Sequence, residues 1–74
     1  MSFKLKGSEI LKRDESVTDV VYYGIAEKGS LTSNAVWKII RIDETIPDEI
    51  TITKADGNDR YDNVWDDVLT LTYK

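Results

Sequence analysis

The stretch DGNDRYDNVWDD, residues 56–67, gathers oxygen ligands at a spacing that could hold calcium. Asp56, Asn58 and Asp62 occupy the first, third and seventh places of such a loop, and Asp67 the twelfth. The match breaks at the sixth place, where Tyr61 stands instead of the glycine that makes the sharp turn, and the flanks read as strands rather than helices. Asp56, Asn58 and Asp62 are therefore kept only as the lesser alternative; the expectation is no metal, with these side chains capping turns in water. Two carboxylates can also share general acid and base work, and Asp66 adjoins Asp67. The chain has no histidine and no cysteine, no glycine-rich phosphate loop and no nucleophile motif, so neither catalysis nor a cofactor is expected.

The aromatic residues Tyr22, Tyr23, Trp37, Tyr61, Trp65 and Tyr73 are the other side chains able to recognise something. Rings on strands can stack bases, yet the acidic balance argues against nucleic acid: 14 Asp and Glu face 10 Lys and Arg, for a net charge of −4. The favoured reading is structural. Trp37 and Trp65 fill the core, each with its indole N–H at a rim where it finds an acceptor, and some tyrosines face a partner subunit.

A chain of 74 residues must position these groups with a thin core, since a domain this small hides only about 60% of the surface its unfolded form exposes. Without cysteine or histidine, neither disulfides nor zinc can reinforce it, which leaves association with other chains. No apolar run approaches the roughly 18–20 residues of a membrane helix, and the start MSFKLKGSEILKR lacks the apolar centre of a signal peptide. A soluble protein made in the cytoplasm is expected.

The hydropathy pattern predicts strands. Residues 2–6 alternate Phe3 and Leu5 with lysines, as an edge strand or an arm, and the polar stretch Lys12 to Ser16 follows Gly7. Val17 to Ala26 is rich in β-branched and aromatic residues and reads as a strand. Gly29, Ser30, Thr32 and Ser33 make Glu27 to Asn34 a loop, and Ala35 to Ile42 is the candidate central strand. Pro47 marks a connection. Glu49 to Lys54 alternates Ile50 and Ile52 with threonines as a half-buried strand, and Asp56-Gly57 suits a turn with positive φ. A short helical turn between Asp59 and Asp67, capped by Asp62 or Asn63, precedes a last strand at Val68 to Tyr73. The expectation is one mainly β domain spanning 1–74, a small antiparallel sheet or a partly closed barrel or sandwich of four to five strands. Residues 1–16 are expected as a flexible or assembly-ordered arm. Val20 or Val21, Ile39, Ile50, Ile52, Leu69 and Leu71 are the predicted core. In the corner before the last strand, Asp62, Asn63, Asp66 and Asp67 are expected to accept backbone hydrogen bonds while Trp65 anchors it.

The two segments YYGIAEKGSLTSNAVWKIIRI, Tyr22 to Ile42, and ADGNDRYDNVWDDVLTLTY, Ala55 to Tyr73, resemble a group of short proteins of tailed bacteriophages and prophages. The shared features are Tyr22, Gly24 and Ala26, then Gly29, Ser30, Thr32, Ser33, Ala35, Trp37, Ile39 and Ile42. They continue with Ala55 to Asn58, Tyr61 to Asn63, Trp65, Asp66, Leu71 and Tyr73. Lys28 stands where that pattern has proline, and Val68 where it has arginine. The resemblance implies a virion protein, made in the bacterial cytoplasm and localised to the particle, and it implies no catalytic residues. The expected function is a structural subunit of a tail, tail tip, fibre attachment or capsid decoration. Its expected partners are other virion proteins and further copies of itself, with no nucleic acid and no membrane. The alternative is a monomeric binding module that recognises a host protein or a glycan through exposed aromatics.

Overall fold

A computed structural model describes residues 7–74 and shows a mainly β chain built on one open, antiparallel, five-stranded sheet. Strands β1 (Glu9–Val17), β2 (Val20–Glu27), β3 (Ala35–Asp43) and β4 (Thr51–Lys54) lie side by side in sequence order. The short β5 (Asn63–Val64) pairs with the start of β3, so β4 and β5 share one edge of that strand. β3 is thus central, as its apolar character on both faces requires. Because β1 and β4 remain at opposite edges, the sheet does not close into a barrel among the described residues. No helix among the described residues is long and apolar enough to cross a membrane.

The expected strand at Val17 to Ala26 contains a hairpin turn. Thr18 and Asp19 reverse the chain between β1 and β2, with Asp19 at φ 61°. Asp19 tolerates this left-handed conformation because a short polar side chain can satisfy the local backbone. Residues 9–16, expected within an arm, are instead the body of β1. Their charges do not oppose strand formation, because an edge strand leaves long side chains in water. The expected pattern at residues 2–6 lies outside the described residues. The connection through Pro47 and the turn at Asp56 (φ 58°) and Gly57 (φ 71°) fall where the residue types predict them.

One face of the sheet carries the core cluster of Val20, Tyr22, Ala26, Trp37, Ile39, Ala55 and Val68. Trp65, Leu71 and Tyr73, delivered by the C-terminal segment, close over it together with Ile10. That segment differs from the predicted last strand. A 3₁₀ turn at Trp65–Asp67 runs into further turns, and extended pairing is confined to the end, where Tyr73 bridges Ala55. Local bonds explain it: the N–H of Val68 donates to Trp65 O (3.0 Å) and that of Thr70 to Asp67 O (2.9 Å), so a ladder is not needed there. The alternation of Val68 to Tyr73 is consequently misphased, with Val68 buried and Leu69 in water.

Ile50 and Ile52, predicted as core, are 60% and 50% exposed. Register explains the reversal. Ile52 pairs with Ile42, and Ile42 with Val21, on the face opposite the core cluster, while Thr53 pairs with Arg41 on the inner face. The alternation was real, but it marks the side of β4 that the C-terminal segment does not cover.

Candidate functional site

The aromatic residues separate by face. Trp37 is fully buried on β3, and its Nε1–H donates to Leu31 O at 3.1 Å. Trp65 tilts against it, ring centroids 5.9 Å apart, and rests over Gly24 of β2. A Cβ placed on Gly24 would meet Trp65 Cζ3 at 2.6 Å and Trp37 Cε3 at 3.1 Å, so only glycine admits both indoles. Tyr22 and Tyr73 form a second tilted pair at 5.4 Å, and the Tyr73 hydroxyl donates to Val68 O at 2.7 Å. Burial pushes the Tyr73 hydroxyl far above its ordinary value, because an anion there would lose hydration. Tyr22, Trp37, Trp65 and Tyr73 are thus joined in packing.

The remaining two tyrosines lie elsewhere. Half-buried Tyr23 sits under the Arg13 guanidinium, 5.7 Å from its ring centre. Tyr61 is exposed and lines an open cleft of about 370 Å³ with Glu9, Glu27, Ser30 and Val36. Glu9 and Glu27 are cross-strand neighbours, an acidic pair at the mouth of β1 and β2. Partial desolvation first, then the Glu9 carboxylate that accepts its hydrogen bond, raises the Tyr61 hydroxyl above its ordinary value.

The residues of the acidic loop are dispersed. Asn58 Oδ1 accepts the N–H of Arg60 at 2.9 Å, closing a local turn, while Asp56 is held in its turn by its own N–H donating to Thr72 O at 2.8 Å. Asp59 pairs with Lys54 (2.9 Å) and Lys38 (3.6 Å), and the hydrogen bond from Lys54 is the main reason its carboxyl lies below the usual range. No three acidic side chains among the described residues converge as metal ligands. The carboxylates of Asp62, Asp66 and Asp67 are exposed and accept no hydrogen bond among the described residues, which corrects their expected role in shaping the corner. Asn63 is the exception. It is buried and its Nδ2 donates to Trp37 O at 3.0 Å, tying the corner to β3, while the 3₁₀ turn begins at Val64 with no side-chain cap.

Residue type alone did not single out Gly24 as a platform or Asp59 as the acid with cationic partners, and it gave Asn63 as a cap or acceptor rather than as a buried donor. The legible signal was the pairing of small Gly24 and Ala26 two residues apart, which leaves one side of β2 open to bulky rings.

The two sheet edges differ in kind. β1 presents Lys12, Arg13, Asp14 and Glu15 and has an irregular register between Asp14 and Val17. Asp14 also accepts the hydroxyl and N–H of Ser16 (2.7 and 2.8 Å), which lower its carboxyl below the ordinary value. β4 has no such guard over Ile50 to Thr53. The Ala55 N–H donates to Ile39 O (3.0 Å), so by strand alternation Thr53 and Thr51 bond toward β3 while Lys54 and Ile52 point outward. Lys74 takes both outward groups of Lys54, at 3.1 and 3.3 Å. The outward N–H and C=O of Ile52 have no partner among the described residues. Comparisons with protein-family models, with curated proteins and with solved structures find no match to this chain.

Proposed function

We propose that this chain is a non-enzymatic structural subunit of a bacteriophage virion, present in many copies and acting through protein contacts. The observation that carries the assembly part of the reading is the group Ile46, Ile50 and Ile52, which are 57%, 60% and 50% exposed beside an unguarded strand edge. A chain with so thin a core gains most by burying such residues against neighbours. Exposed aliphatics at a sheet edge also favour association over isolation. The virion, as the place of assembly, rests on the two tryptophan-bearing segments and their resemblance to phage proteins. Whether the location is tail, tail tip, fibre attachment or capsid decoration is a finer part of the same proposal.

Quantitative mass spectrometry of purified particles from a phage that encodes the chain tests this reading. The expected result is a multi-copy component that stays with the particle through gradient purification. A protein found only in the unassembled lysate fraction overturns it. The second reading, a monomeric module for a host protein or glycan, is favoured by one feature, the open cleft beneath exposed Tyr61 with its acidic rim. It predicts that Tyr61→Ala abolishes binding to host cells while leaving particle incorporation intact.

A further inference from the structure

We infer that the free edge of β4 docks a second copy of this chain. The two β4 strands run antiparallel about a twofold axis, so that one sheet continues through both copies. The inference deepens the assembly reading by naming one of its interfaces, and it rests on that reading only for the presence of further copies.

Ile52 directs its N–H and C=O away from β3; Ile50 stands immediately before β4, and the inferred pairing extends the strand by that residue. In a twofold antiparallel pairing Ile52 of one copy lies opposite Ile50 of the other, and Thr51 faces Thr51 at the axis. Each copy then supplies the donor and acceptor that the other lacks. Lys74 already occupies the edge beside Lys54, so it limits the new pairing to the segment before Thr53 and sets its register.

Side chains agree with that register. Ile52, Ile42 and Val21 form a cross-strand row on one face, and Ile50 lines a cleft with Val21, Tyr23 and Ile42. A second β4 places its own isoleucines at the end of that row and makes one apolar strip of the two. Charge agrees as well. The segment Asp48-Glu49-Ile50-Thr51-Ile52-Thr53-Lys54 is acidic at its start, and at its end Lys54 and Lys38 share the single carboxylate of Asp59, which leaves that end with a net positive charge. An antiparallel partner brings the acidic start of each copy to the basic end of the other, whereas a parallel one would stack like charges.

The β1 edge is excluded as the docking site by its charged residues and irregular register, features that prevent edge-to-edge pairing. An edge as short as β4 buries less than the roughly 800 Å² per partner of a standard interface, so association depends on concentration. A twofold contact is closed, and building many copies requires a second, different interface.

Sedimentation velocity of the purified chain across a concentration series, with folding checked by circular dichroism, tests the inference. The variants are Ile50→Lys, which charges the strip, and Ile52→Pro, which removes the outward N–H without touching a bond to β3. Leu11→Lys on β1 is the control. The expected result is a dimer in the wild type and in the control, with self-association weakened at least about tenfold in whichever β4 variants fold. Association that is equal in wild type and folded β4 variants overturns the β4 interface and leaves the assembly reading standing. A dimer abolished by the variants, in a chain absent from purified particles, supports the interface and overturns the virion reading. A wild type that stays monomeric at every concentration overturns the interface.

Discussion

Trp65 lies on Gly24 so closely that the β2 backbone itself forms the floor beneath the indole. The contact joins the C-terminal segment to the sheet at the point where Trp65 also meets Trp37. It explains why a glycine interrupts a strand otherwise rich in β-branched and aromatic residues.

Gly24→Ala should therefore destabilise the fold by about 1–3 kcal/mol through overpacking. In a Trp65→Ala background the same change should cost nothing or stabilise slightly, since alanine suits a strand better than glycine where space allows. Chemical denaturation of the four proteins gives the coupling. An equal cost in both backgrounds would show that the indole does not rest on Gly24.

Thr53→Val should stabilise the protein. The Thr53 hydroxyl oxygen is buried without a hydrogen-bond partner, on the face shared with Arg41 and Tyr22. An unsatisfied buried polar group costs roughly 1–3 kcal/mol, and valine has nearly the same shape. A gain near 1 kcal/mol in thermal or urea unfolding is expected, and a loss would mean that the hydroxyl is satisfied in solution.

Acid should weaken the fold below about pH 4. Asp43 is lowered first by the Thr45 hydroxyl (2.6 Å) and N–H (2.9 Å), Asp14 first by the Ser16 hydroxyl, and Asp59 first by Lys54. A carboxyl depressed in the folded state contributes stability above its unfolded value of about 3.9, and that contribution is lost as pH falls through the folded value. Tm should thus be level above about pH 5 and fall below pH 4, less steeply in an Asp14→Asn, Asp43→Asn double variant. An identical acid slope in wild type and variant would remove these turns as the cause.

Calcium should leave stability unchanged. With Asn58 committed to Arg60 and Asp59 to two lysines, the loop has no ready set of oxygen ligands. A site with a millimolar dissociation constant would contribute about 1.4 kcal/mol at tenfold excess, enough to raise Tm by several degrees. A calcium-specific rise of that size, absent with Asp56→Asn, would restore the loop as a metal site.

Much of the architecture is legible in the residues themselves. The apolar faces of Ala35 to Ile42 mark the central strand, Asp56-Gly57 marks its turn, and Pro47 marks a connection, because these are local preferences of backbone and side chain. The candidate surface was less legible. Ile50 and Ile52 alternate as any half-buried strand would, and period alone does not say which face another segment will cover.

Three particulars were decided only by tertiary structure. The C-terminal chain covers one face of the sheet because Trp65 needs the gap above Gly24, and that choice leaves Ile50 and Ile52 outside. Val68 to Tyr73 gives up most of a ladder because the turn that delivers Trp65 satisfies its own N–H groups. Asn63, polar enough to cap a helical turn, is instead buried because the Trp37 carbonyl awaits a donor there. At Trp65 and Asn63 a contact between residues distant in sequence overrides a weak local preference, whereas in Val68 to Tyr73 the local turn bonds that accompany the docking of Trp65 replace the ladder.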